Sequence, residues 1–134
     1  MDNDTNRDRV IALYLAMLAA HMAHVLEEVC GRFWIMDAVF GTGWFCAVNA
    51  LLFCVPLAVF YYFLQGRKAA AYCALGYAAV MLLNGIGHNV MTLATGRYFR
   101  GYAGCITGAA LICLSLPMMH YLGRMVRSAR LAVR

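Results

Sequence analysis

The chain has 134 residues, is 64% hydrophobic and carries a net charge of +5. That apolar fraction is well above the roughly 45–50% of soluble domains and points to a membrane protein. The positive charge is confined to the segment ends, so it reads as a topology and headgroup signal and excludes nucleic acid as the partner.

Four apolar stretches are predicted as helices, at about residues 10–30, 43–64, 69–95 and 102–122. Each reaches the roughly 20 residues needed to cross a bilayer, and in hydrocarbon only a helix pairs all its backbone groups within one such segment. The expectation is one all-α domain, an antiparallel bundle of four transmembrane helices. The first segment resembles a signal peptide in its apolar core. Its leader is acidic, with Asp2, Asp4 and Asp8 beside Arg7 and Arg9, so it is read as a retained helix.

The first connection, 31–42, holds Phe33, Trp34, Ile35 and Met36 and is too apolar for a solvated loop. It is expected to lie along the interface and cap the bundle. Gln65-Gly66-Arg67-Lys68 is a short turn, which makes the second and third helices antiparallel neighbours. In the fourth helix Gly104 and Gly108 form a Gly-x-x-x-Gly spacing that permits close backbone approach, and Pro117 is expected to bend it. The six cysteines show no Cys-x-x-Cys spacing and read as small packing residues; a disulfide among Cys30, Cys46 and Cys105 is left open.

Eight of the 11 basic residues, namely Arg7, Arg9, Arg67, Lys68, Arg124, Arg127, Arg130 and Arg134, fall on one side. Arg32, Arg97 and Arg100 fall on the other. The positive-inside rule then places both termini in the cytoplasm, with the bacterial inner membrane as the expected location.

Ionisable residues inside these segments need a reason, because a charged side chain at the bilayer centre costs roughly 2.5–3.5 kcal/mol. His21, His24, Glu27 and Glu28 sit in the first segment, Asn49 in the second, Asn84 and His88 in the third, and Thr107 in the fourth. Counted from the outer boundary at 1.5 Å per residue, all but His21 occupy one layer roughly 10 Å thick. At about 100° per residue, Glu28 lies about 40° from His24, and Glu27 about 60° to the other side. Asn84 and His88, four residues apart, share a face, and Gly85 and Gly87 thin the helix between them. His24, Glu27, Glu28 and His88 are therefore the candidate catalytic residues. Asn49, Asn84 and Thr107 are candidates for orienting a substrate. Glu27 is expected at the edge of the site, orienting a histidine or meeting Arg32, Arg97 or Arg100. His120 reads as interfacial.

His24-Val25-Leu26-Glu27-Glu28 matches a His-x-x-Glu-Glu signature, and Asn84-Gly85-Ile86-Gly87-His88 an Asn-x-x-x-His signature. With the Tyr102–Thr107 stretch they resemble the HXXEE family of integral-membrane proteins. That resemblance implies a four-helix membrane topology and an enzymatic function, without naming a reaction. Gly85 replaces the alanine that often follows the Asn, and Ala103 replaces the proline of the last motif.

Two chemistries fit. His24, His88 and Glu28 form a two-histidine, carboxylate set suited to one zinc or iron ion with open positions. Alternatively, adjacent carboxyls that cannot both ionise cheaply supply an acid while a histidine accepts a proton. Either serves isomerisation, cyclisation or hydrolysis of a lipophilic molecule entering from the bilayer. A transport subunit moving ions, protons or a small molecule through the same cluster is the alternative, and a homo-oligomer is left open.

Overall fold

In the computed structural model, residues 2–131 are described, with side chains from 5–39 and 41–128. Asp2, Asp4, Arg130 and Arg134 of the charge argument lie outside the described side chains. Four long helices follow one another: α1 (Asp2–Gly31), α2 (Gly41–Leu64), α3 (Lys68–Thr95) and α4 (Cys105–Leu131). Among the described residues all four contain a span long and apolar enough to cross a membrane.

The core is a three-helix seam. Buried on α1 are, among others, Val10, Tyr14, Met17, His21, His24 and Glu28, a spacing of three or four residues that keeps these six on one helix face. Ala70, Ala74, Ala78, Met81, Gly85 and His88 repeat the pattern on α3, and Leu111, Ser115, Met118 and Leu122 on α4. The small residues of α3 let α4 lie close. A Cβ built on Gly85 would come 2.4 Å from the Gly108 carbonyl oxygen, so here the two backbones touch. Gly87 faces open space and admits no such neighbour.

α2 stands at the periphery. It buries only Phe45, Pro56 and Phe63, and its Leu51, Leu52, Val55 and Leu57 are exposed, as suits a lipid-facing helix. It is tied to the seam by the Tyr14 hydroxyl, which donates to the Pro56 carbonyl at 3.0 Å. At its end, Arg7 donates to the Leu64 carbonyl at 2.8 Å, and on α4 the Arg9 guanidinium lies 5.2 Å from the Tyr121 ring centroid. The first turns of α1, the end of α2 and the last turns of α4 therefore share one end of the bundle, the tail end.

The opposite, far end carries both long connections. α1 stops where Arg32 adopts a left-handed φ of 54°. The Phe33 and Arg32 amides then bond back to the Glu28 and Val29 carbonyls, the pattern of a Schellman stop usually made by glycine. The 36–40 segment forms one π-type turn, with Asp37 paired to Arg32 at 2.5 Å. The expected cap is thus an ordered turn, with Trp34 and Trp44 exposed at its flanks. The fourth helix begins at Cys105, not near residue 102. The chain before it is an irregular turn in which Arg100 has φ 54° and Gly101 φ −132°. All six cysteines are free, so Cys30, Cys46 and Cys105 form no disulfide.

Candidate metal centre

The buried stripe of α1 changes chemistry at its far end. His24 and Glu28 continue the face that carries Val10, Tyr14 and Met17, and His88 closes the stripe of α3 beside them. His24 is 1% exposed, and Glu28 and His88 are each 6% exposed. One ligand atom from each of the three lies within 4.8 Å of the others. Glu28 Oε1 is 3.1 Å from His88 Nε2 and 3.7 Å from His24 Nε2. The two imidazoles meet nearly at right angles, with ring centroids 4.7 Å apart. Two rings and one carboxylate thus aim at one volume, and this group could hold a metal ion.

Each histidine is held by its other nitrogen. His88 Nδ1 lies 3.3 Å from the Tyr102 carbonyl, which also accepts from Thr92 at 2.9 Å. That carbonyl is delivered by the irregular turn ahead of α4. His24 Nδ1 lies 3.0 Å from the Thr107 hydroxyl. His24 Nε2, in contrast, is buried and has no hydrogen-bond partner among the described residues. An orphaned buried nitrogen facing a carboxylate and a second imidazole is what a cation, or a proton, would satisfy.

Gly104 makes the convergence sterically feasible. Its φ of +119° is a region that favours glycine, and a Cβ there would lie 2.7 Å from both His24 Cε1 and His88 Nδ1. Phe33, placed by the stop of α1, packs against His88, its ring centroid 4.8 Å from that of the imidazole.

Glu27 leaves this cluster and caps α4. Its carboxylate accepts from the Thr107 amide at 2.7 Å, the Ile106 amide at 3.1 Å and the Tyr98 hydroxyl at 2.7 Å, and it takes a further short bond from the Thr107 hydroxyl. A negative group on the first free amides of a helix also meets the positive end of the helix dipole. Burial, and then the bond to Glu27, push the Tyr98 phenol up to about 12. Of the two roles expected for Glu27, it reaches a histidine through Thr107, and among the described residues it makes no ion pair with Arg32, Arg97 or Arg100.

The remaining polar candidates divide. Thr107 enters the cluster. Asn49 does not: its amide donates to the Phe45 carbonyl of its own helix at 2.9 Å. Asn84 is half-buried one turn before His88, and its side chain makes no hydrogen bond among the described residues. The asparagine that joins helices is Asn89, whose amide donates to the Gly85 and Cys105 carbonyls at 2.8 and 3.0 Å. Its signal in the sequence is its spacing of four from Gly85, the residue at the α3–α4 contact. His21 pairs with the Tyr77 hydroxyl at 3.1 Å, one turn closer to the tail end. His120 stacks edge-on against Tyr121. Comparison with protein-family models, with curated proteins and with solved structures finds no match to this chain.

Proposed function

We propose that this chain is a small integral-membrane enzyme in which His24, Glu28 and His88 hold one divalent transition metal, zinc or iron, and which acts on a lipophilic molecule entering from the bilayer. The observation that carries the reading is the buried, partnerless His24 Nε2, set beside Glu28 and His88 within ligand range. A metal held by these three residues would keep open positions and would supply Lewis acidity there. In this reading Glu28 offsets the cation's charge, Thr107 and the Tyr102 carbonyl orient the two imidazoles, and Phe33 keeps bulk water from His88. The reaction class is hydrolysis, isomerisation or cyclisation. In the same reading, the His-x-x-Glu-Glu and Asn-x-x-x-His signatures support a likeness to the HXXEE family.

The basic residues at the tail end support a cytoplasmic location for both termini, in a bacterial inner membrane. The test is elemental analysis of purified wild type, His24→Ala and His88→Ala. Near-stoichiometric metal in the wild type and its loss in both variants is expected. No metal in any preparation would move the assignment to acid–base chemistry between Glu28 and the histidines.

One observation favours a second reading, a proton- or ion-handling subunit. The His21–Tyr77 pair extends the polar groups from the cluster toward the tail end. Proton flux into liposomes holding the protein, lost in Tyr77→Phe, would establish it.

A further inference from the structure

Glu27 lies outside the three-ligand cluster, yet its carboxylate is linked to the cluster through one intermediary. The Thr107 hydroxyl has a single hydrogen and stands between two neighbours, a Glu27 oxygen and His24 Nδ1. An ionised carboxylate only accepts hydrogen bonds. The same Glu27 oxygen also accepts from the Thr107 amide, which fixes the carboxylate against the start of α4. The hydroxyl hydrogen therefore goes to Glu27. What Thr107 offers His24 is an oxygen lone pair, and His24 must meet it with an N–H on Nδ1. A neutral imidazole with its proton on Nδ1 carries a bare lone pair on Nε2. That atom is the buried nitrogen with no partner, 3.7 Å from Glu28 Oε1.

We infer that Glu27 is a positioning residue which, through the Thr107 hydroxyl, holds His24 as the Nδ1–H tautomer and so keeps Nε2 free as a ligand. The relay of carboxylate, hydroxyl and imidazole does what a direct carboxylate–histidine bond does in many metal sites, with one hydroxyl inserted. It rests on the proposed metal reading only for its purpose; the tautomer itself is a property of the metal-free protein.

The experiment is 15N NMR of imidazole-labelled, metal-free protein in detergent, with the His24 signals assigned by loss in His24→Gln. In the wild type, Nδ1 should show the shift of a protonated nitrogen and Nε2 that of a bare one. Thr107→Val leaves the Thr107 amide on Glu27 and removes only the hydroxyl. Its His24 is expected to move its proton to Nε2, on the side of the Glu28 carboxylate. Thr107→Ser should restore the wild-type pattern. Glu27→Ala frees the hydroxyl to donate to Nδ1 and should give the same reversal; if that variant fails to fold, Thr107→Val decides. In parallel, Co(II) affinity should fall about 10- to 100-fold in Thr107→Val and recover in Thr107→Ser.

His24 found as Nε2–H in the wild type, or still Nδ1–H in Thr107→Val, overturns the relay. A relay that behaves as described in a protein that binds no Co(II) leaves this inference standing and removes the metal reading instead.

Discussion

Gly104→Ala is the sharpest perturbation the site allows, because a single methyl strikes both histidines. The new Cβ would stand 2.7 Å from His24 Cε1 and from His88 Nδ1, where ordinary contact begins at 3.4 Å. Each ring would have to retreat by about 0.7 Å, several times the roughly 0.2 Å within which metal–ligand distances are held. Neither ring retreats freely, since His24 is tied to Thr107 and His88 to the Tyr102 carbonyl. The backbone adds a cost of its own, about 1–3 kcal/mol for a side chain at a φ of +119°. The expectation is a folded helical protein whose Co(II) or Zn(II) affinity, measured by competition with a chromophoric chelator, drops about 10- to 100-fold. Gly87→Ala is the matched control: it meets nothing within 4 Å and should bind metal like the wild type. Wild-type affinity in Gly104→Ala would show that the two imidazoles do not share one ion.

Other outcomes follow from the same geometry. Glu28→Gln should abolish metal binding, whereas Glu27→Gln should weaken it and lower resistance to SDS unfolding; the reverse order would mean the two roles are exchanged. Gly85→Ala puts a methyl 2.4 Å from the Gly108 carbonyl oxygen, and overpacking of this kind should destabilise the bundle by about 1–3 kcal/mol in an SDS titration. For Tyr98, the phenol is raised from 10 to about 12. The neutral form is therefore the one favoured by folding. Its contribution should hold below pH 10 and be lost as pH rises through about 12. The difference absorbance between wild type and Tyr98→Phe should place that ionisation near pH 12, not 10. Cysteines introduced at Thr5 and Ser128 of a cysteine-free variant should be blocked only by reagents that enter the cytoplasm; labelling from outside would invert the topology.

The helices and the level of the site are legible in the sequence because both follow from one-dimensional rules. Apolar length sets the spans, and counting residues from a boundary sets depth. That is why His24, Glu28, His88 and Thr107 could be placed together without coordinates. Rotation about each axis was harder. Asn49 sits at the right depth on α2, but α2 is the helix with the fewest buried positions, and its asparagine satisfies itself within its own turn. Asn84 and Asn89 are separated by about 140° around α3, and only the contact of Gly85 with Gly108 tells which faces α4. The capping by Glu27 was hidden for another reason: it joins residues 80 apart in sequence. The one local hint is a missing one. α4 starts after Ala103-Gly104 with none of the usual capping side chains, so a helix end in an apolar setting had to borrow its acceptor from elsewhere.

The peripheral place of α2 divides the molecule by tolerance. The candidate ligands come from α1 and α3, and their orienting groups from the turn before α4 and from α4 itself. α2 reaches this assembly at the far end through the Phe45 ring against Phe33. Its lipid-facing positions can therefore exchange one apolar residue for another while the donor set stays registered. The wall most open to revision is thus the one that carries none of the candidate ligands.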